Sequence, residues 1–216
     1  MLLYLMEKLN SRIVTILEVG FGNLPSLKRV LNQIDTKVEV AFTPSDILNA
    51  DYLIIPGVGS FGTAMDYLKE NKLEEAIKIR SLEKKLPTLG ICLGAQIMLE
   101  VGYEGGNNFG LGIFAGSVQS LESGAGIGVT HTGWDEVEFK DDFLGIEKNS
   151  KVDVFFNHDF VLMPKDLKHI YGTCNFGNGF AVALNKFKTF AVQFHPEKSQ
   201  SAGLNMLKYF LKIDDV

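Results

Sequence analysis

The chain of 216 residues is 46% hydrophobic and 22% charged, ordinary globular statistics with enough apolar mass for one large core. A net charge of -5 leaves no basic field to gather phosphates, so no nucleic-acid partner is expected. No apolar run approaches the roughly 20 residues of a membrane span, so no membrane association is expected either.

Only two cysteines occur, Cys92 and Cys174, far apart and with no secretory signature, which predicts reduced thiols and a cytoplasmic setting. Residues 1–12 mix Leu2, Leu3, Tyr4 and Leu5 with Glu7 and Lys8 and read as an extension before the first strand, leaving 13–216 as one domain. Ile13 to Leu17 is a short β-rich run that ends in Gly20-Phe21-Gly22-Asn23. Leu24, Leu27, Val30, Leu31 and Ile34 then recur at helical spacing. Lys37 to Phe42 and Tyr52 to Ile55 predict two more strands, Pro56-Gly57-Val58-Gly59 a turn, and Phe61 to Asn71 a helix. Glu74 to Lys85 reads as a charged, surface-type helix. Pro87 to Ile91 leads directly into Cys92-Leu93-Gly94 and an apolar helix around Ile97, Met98 and Leu99.

From Leu111 the texture turns β-rich, with strands expected over Ile113–Leu121, Trp134–Phe139, Val152–Phe160, His169–Phe176, Phe180–Leu184 and Thr189–Phe194. Leu204, Leu207, Tyr209, Phe210 and Leu211 close the chain as an amphipathic helix. Strands alternating with helices in the first half imply parallel pairing. The expected fold is therefore a single α/β domain with a mixed, mostly parallel central sheet flanked by helices and a β-rich second half.

Gly90-Ile91-Cys92-Leu93-Gly94 has the form of a nucleophile elbow with cysteine in the place of serine. A sharp strand-to-helix turn crowds the positions two residues either side of its apex, so those must lack a side chain. The helix that starts there aims its N–H groups and positive dipole end at the sulfur, which favours thiolate and offers donors to an oxyanion. Cysteine is also a common small core residue at strand ends, so the elbow alone leaves both possibilities standing. Phe194-His195-Pro196-Glu197 tilts the balance. Residues two apart in extended chain share a side, which lets Glu197 orient His195 and leaves its other nitrogen to take a thiol proton.

His131 and His158 lie at expected strand ends, where structural hydrogen bonding is the commoner role; His169 reads as surface and Cys174 as a core thiol. The loop Pro56 to Gly62 lacks the lysine and serine or threonine of a phosphate cradle, and its glycines suit the second half of an oxyanion hole.

Together these residues resemble the class I, or triad, glutamine amidotransferases, with Cys92, His195 and Glu197 as the triad. Within that class Gly22-Asn23-Leu24-Pro25-Ser26, Pro56 to Gly62, Gly90 to Gln96, His131-x-Gly133-Trp134 and Gln193 to Ser199 resemble the glutaminase subunits of imidazole glycerol phosphate synthase. The resemblance runs from about Ile13 to Leu211. It implies hydrolysis of L-glutamine by Cys92, with Leu93 and a peptide of Gly57-Val58-Gly59 binding the oxyanion. Gln96, Glu104, His158 and Asp159 would hold the substrate. Asn23, Trp134 and Lys198 would face a (β/α)8 cyclase partner in a heterodimer of histidine biosynthesis, and no cofactor or metal is implied.

Three positions depart from the pattern: Glu18-Val19-Gly20 stands for Asp-Tyr-Gly, Asp135 for asparagine and Phe155 for tyrosine. All lie near the expected partner face. A paralogue feeding ammonia to another synthase, such as one amidating a surface sugar, would differ in the same places. A free-standing γ-glutamyl hydrolase would share the elbow and histidine, and a binding module would have lost its site.

Overall fold

The computed structural model describes residues 13–18, 24–34, 36–121 and 130–213. Thirteen strands form one mixed sheet among the described residues, ten of them in the order β2-β1-β3-β4-β13-β12-β10-β7-β5-β6 and three, β11, β8 and β9, branching from β12. β1 (Ile13–Leu17), β2 (Lys37–Ala41), β3 (Tyr52–Ile55), β4 (Thr88–Ile91) and β13 (Thr189–Val192) pair in parallel, the last by the register Val192↔Ile91.

β3, β4 and β13 are buried along their whole length. The reason is that helices cover both sides of them, as parallel strands require. Tyr52, Ile54, Leu89 and Ile91 face one apolar cluster with Leu27, Leu31, Met206, Leu207 and Phe210. Those last residues belong to α1 (Leu24–Asn32) and to α6 (Gln200–Phe210). Leu53 and Ile55 face the other cluster with Ile47, Phe61, Ala64, Leu68 and Ile77, from α2 (Pro44–Asn49), α3 (Phe61–Glu70) and α4 (Glu74–Lys78).

Beyond β13 the pairing turns antiparallel. β12 (Phe180–Lys186) shares one edge between β13 and, at Ala181, β10 (Phe160–Pro164), and pairs with β11 (Ile170–Cys174) on its other edge. β11 continues to β8 (His131–Phe139), which forms an eight-pair ladder with β9 (Lys151–His158) from His131↔His158 to Glu138↔Lys151. β10 continues to β7 (Phe114–Ser120), then β5 (Leu99–Gly102) and β6 (Asn108–Phe109).

Four sequence expectations change. The apolar run at Ile97 to Leu99 is not a helix: α5 (Leu93–Gln96) ends at Gln96, and Leu99 already opens β5. A short apolar run buried on all sides has no periodicity to separate strand from helix. The strand expected over Val152–Phe160 is broken at Asp159, where β9 ends and β10 begins. His169 is half-buried, its ring edge-on to Phe114 at 5.9 Å, rather than a plain surface residue. The surface-type helix over Glu74 to Lys85 is α4 followed by a π-helical turn, Ile79–Glu83, and its Arg80 is wholly buried. The turn Gly20-Phe21-Gly22-Asn23 lies outside the described residues.

The Arg80 guanidinium donates to the carbonyls of Ile47 (3.1 Å), Ala50 (2.6 Å), Asp51 (3.0 Å) and Pro87 (2.8 Å) and to Thr88 Oγ1 (3.2 Å). It ties the end of α2 to the starts of β3 and β4. Arg80→Met removes every one of these donors, and each buried acceptor left bare costs about 1–3 kcal/mol. Urea unfolding of that variant is expected to lose more than about 3 kcal/mol; a loss under about 1 kcal/mol would show that the cage is dispensable.

Candidate active site

The C-terminal ends of β3, β4 and β13 open onto one crevice. Cys92 follows β4 directly, with φ 53 and ψ -112, in the left-handed region that a side-chain-bearing residue adopts only under constraint. The constraint is visible on both sides. A Cβ on Gly94 would stand 1.8 Å from the Ile55 carbonyl oxygen, and one on Gly90 would stand 2.7 Å from the Gly94 carbonyl oxygen. Cys92 N donates to Val192 O at 2.8 Å, locking the elbow to the end of β13. α5 then begins with Ala95 N and Gln96 N both donating to Cys92 O, at 2.9 and 3.0 Å.

Past Val192 the chain carries Gln193, then His195, whose N donates to Phe155 O at 2.9 Å. The Ser199 hydroxyl donates to His195 O at 2.7 Å and accepts from Phe155 N at 3.0 Å, so this turn is riveted to β9. His195 Nδ1 and Glu197 Oε1 lie 2.8 Å apart, with both side chains almost wholly buried. His195 Nε2 makes no hydrogen bond. Burial lowers the imidazole pKa, but the Cys92 thiol and the Glu197 carboxylate outweigh it and raise the ring to about 9. The ring thus has the basicity to hold the thiol proton.

A cavity of about 410 Å³ lies over the sulfur, lined by Val58, Gly59, Ser60, Leu93, Gln96 and Glu104 on one side and Thr130, Asn157, His158, Asp159 and Phe160 on the other. The Cys92 thiol therefore faces the cavity and interacts with the His195 imidazole, which Glu197 holds from the other side.

A profile for "Glutamine amidotransferase class-I" matches residues 15–213. The chain belongs to the class-I glutamine amidotransferases.

Among the relatives of this amidotransferase is "Imidazole glycerol phosphate synthase subunit HisH 1" of Campylobacter jejuni, 41% identical over 93% of this chain and the whole of that protein. The HisH subunit of Moorella thermoacetica is 39% identical over 92% of this chain and 94% of its own. "Imidazole glycerol phosphate synthase hisHF, chloroplastic" of Arabidopsis thaliana is 39% identical over 92% of this chain, which spans 34% of that longer protein. The amidotransferase belongs with these HisH subunits, and the surface-sugar paralogue is not favoured. The fold is also that of a solved structure titled "Crystal structure of glutamine amidotransferase", with TM-score 0.73 at 20% identity over 94% of this chain and 99% of that one.

The amidotransferase gathers most of the sequence-predicted residues at the cavity: Cys92, Leu93, Val58, Gly59, Gln96, Glu104, His158 and Asp159 line it. Gly57 sits one layer back, where a Cβ would stand 2.9 Å from Leu93 Cβ. Glu104 Oε2 accepts from Phe61 N at 2.7 Å, at the start of α3. Trp134 and Lys198 come together around Phe155: the Trp134 ring is edge-on to it at 6.2 Å, and Lys198 Nζ lies 5.3 Å from its centroid. Asn23 lies outside the described residues. Cys174 is buried in the core, and its thiol is pushed up to about 12, burial being the largest cause.

Sequence reasoning missed Ser60, Thr130, Asn157 and Phe160 in the cavity wall, and it missed Gln193. Gln193 Nε2 stands 3.8 Å from Cys92 Sγ, and its Oε1 accepts from Gln96 Nε2 at 3.2 Å. Its place two residues before His195, directly after the end of β13 at Val192, was the available signal.

A group whose pKa is raised on folding stabilises below its unfolded value, here 6.5, and that contribution is lost as pH climbs through the folded value, about 9. In the folded chain the imidazolium beside Cys92 is lost as pH passes about 9. The kcat/KM for glutamine is therefore expected to fall above about pH 9, and Glu197→Gln, which removes an anion favouring the imidazolium, is expected to move that limb toward neutrality. A pH–rate profile with an unmoved limb would separate Glu197 from the base.

Proposed function

We propose that the chain is the glutaminase subunit that hydrolyses L-glutamine to glutamate and ammonia and passes the ammonia to a (β/α)8 cyclase subunit making imidazole glycerol phosphate in histidine biosynthesis. The observation that carries this reading is Cys92 on a constrained elbow beside a His195–Glu197 pair at 2.8 Å, within a chain of HisH type. Free thiols at Cys92 and Cys174 suit a reducing compartment such as the cytoplasm.

The proposed reaction follows from the groups. The Cys92 proton moves to His195, and Sγ attacks the carboxamide carbon. Negative charge gathers on the carbonyl oxygen, where the Leu93 N–H and a reoriented peptide of Gly57-Val58-Gly59 are proposed as donors. The C–N bond then breaks, the His195 proton goes to nitrogen, and ammonia leaves a thioester. Water gives a proton to His195 as it attacks the thioester carbon, the C–S bond breaks, and glutamate departs.

Gln96, Glu104 and the peptides at His158 and Asp159 are proposed to hold the amino acid part of the substrate. The cation of that part suits Glu104, the carboxylate in the cavity wall nearest the start of α3. Trp134 and Lys198, with Asn23, are the proposed partner face.

Two results test this. Adding the cyclase subunit and its nucleotide ligand is expected to raise glutamine hydrolysis strongly; a preparation indifferent to both would sink the partner assignment while leaving the glutaminase intact. Cys92→Ser is expected to lose at least about 10³-fold in kcat with an unchanged unfolding midpoint. Retained activity would mean that the nucleophile lies elsewhere.

A further inference from the structure

Behind the cavity, His131, Asp135 and Cys174 each offer one ligand atom, and these atoms all lie within 4.8 Å of one another. The glutaminase reading gives this cluster no role, although His131 opens the motif His131-x-Gly133-Trp134 and Asp135 is one of the three departures from the pattern. His131 opens β8, Asp135 lies four residues further along it, and Cys174 ends β11, the strand paired with β8. His131 is stacked between the rings of Phe156 and Phe176, at 4.4 and 4.0 Å, so that only its edge can interact.

The protons on that edge can be counted. Phe160 O lies 2.8 Å from His158 Nδ1, and a carbonyl only accepts, so His158 carries its proton on Nδ1. In the neutral ring its Nε2 is then a lone pair. His131 Nδ1, 3.1 Å away, must therefore be the donor to it. That leaves His131 Nε2 facing Asp135 Oδ2 at 3.2 Å. In a neutral His131 this nitrogen is also a lone pair, opposed to a carboxylate. A cation in that gap would meet nitrogen, oxygen and sulfur donors together.

We propose that His131 Nε2, Asp135 Oδ2 and Cys174 Sγ bind a single zinc(II) ion that pins β8 to β11. Imidazole, carboxylate and thiolate are the donors this ion takes in four-coordinate sites. Its two positive charges are cancelled by Asp135 and the Cys174 thiolate, which makes a buried site neutral. The surroundings are built in the way metal sites are. His131 donates its other nitrogen to His158, whose tautomer Phe160 fixes, and Asp135 Oδ1 accepts from Glu136 N at 2.8 Å. Asp135 is only partly buried, with 35% of its side chain exposed, so water can complete the fourth position. Binding displaces the Cys174 thiol proton, and any proton held between His131 and Asp135, to solvent. The effect of the ion on the cavity is to hold the His158 ring in the wall.

The test uses the full chain made without a metal-affinity tag. Elemental analysis is expected to find about one zinc per chain, and titration of chelator-treated protein with cobalt(II) is expected to give a thiolate-to-metal charge-transfer band. That band persists in Cys92→Ser and vanishes in Cys174→Ala, while Asp135→Asn weakens zinc by at least about tenfold. A metal-free chain with no band at stoichiometric cobalt overturns the proposal, as does a band that follows Cys92 rather than Cys174. Should Cys174→Ala fail to fold, Asp135→Asn and the unfolding midpoint of the natural chain with zinc against chelator decide. Zinc must raise that midpoint in the natural chain, and raise it less in the variant.

Discussion

The approach of Gly94 to the Ile55 carbonyl governs the geometry of this molecule. With no side chain at that point, α5 can start within van der Waals reach of β3 and turn its first N–H groups back toward Cys92. The second half of the constraint is the parallel register of β4 and β13, with Ile91 opposite Val192 and Cys92 N bonded to Val192 O. One residue past the pair on β4 is the thiol. Three residues past it on β13 is the imidazole. A slip of one residue in that register would move every side chain of β13 to the opposite face and take His195 out of reach. The reactive group is therefore a property of strand pairing, and the two apolar clusters that clamp the parallel strands are what hold it in place.

This explains why the grouping of Cys92, His195 and Glu197 was legible in the sequence while much of its setting was not. Glycines two residues either side of a cysteine, and a histidine and glutamate two apart, are local patterns, although His195 and Glu197 meet across the 3-10 turn Pro196–Lys198 and not along extended chain as the spacing implied. The cavity wall at Ser60, Thr130, Asn157 and Phe160 is assembled from four separate stretches and has no local pattern to read. Ile97 to Leu99 misled because a run buried on every side looks the same as helix or strand. α2 was overlooked although its start is written in the sequence: the Thr43 hydroxyl accepts from Asp46 N, the Asp46 carboxylate accepts from Thr43 N, and Pro44 fills the first turn.

Arg80 is the clearest case of tertiary context overriding sequence texture. Lysines and glutamates around it mark an exposed helix, and Glu75, Glu83, Lys84 and Lys85 are indeed exposed. A single turn of π-helix rotates the face at that point and sends the guanidinium inward to a group of carbonyls. Those carbonyls end α2 and begin the two strands that frame the elbow, and the Pro87 carbonyl also accepts from Leu53 N at 3.1 Å. A planar group with five donors is the one side chain that can meet so many acceptors at once.

Phe155 brings the base and the proposed partner face into one residue. Its backbone holds the catalytic turn, accepting from His195 N and accommodating the Ser199 hydroxyl at its own N–H. Its ring meanwhile lies edge-on to Trp134, which is 49% exposed, and beneath Lys198. The short 3-10 turn Pro196–Lys198 adds a second link, because it carries Glu197 inward to His195 and Lys198 outward to that ring. A subunit that docks on Trp134 and Lys198 thus presses on the side chain whose peptide positions the imidazole. No long pathway is needed for docking to reach the base, since the two are separated by one residue's own covalent frame.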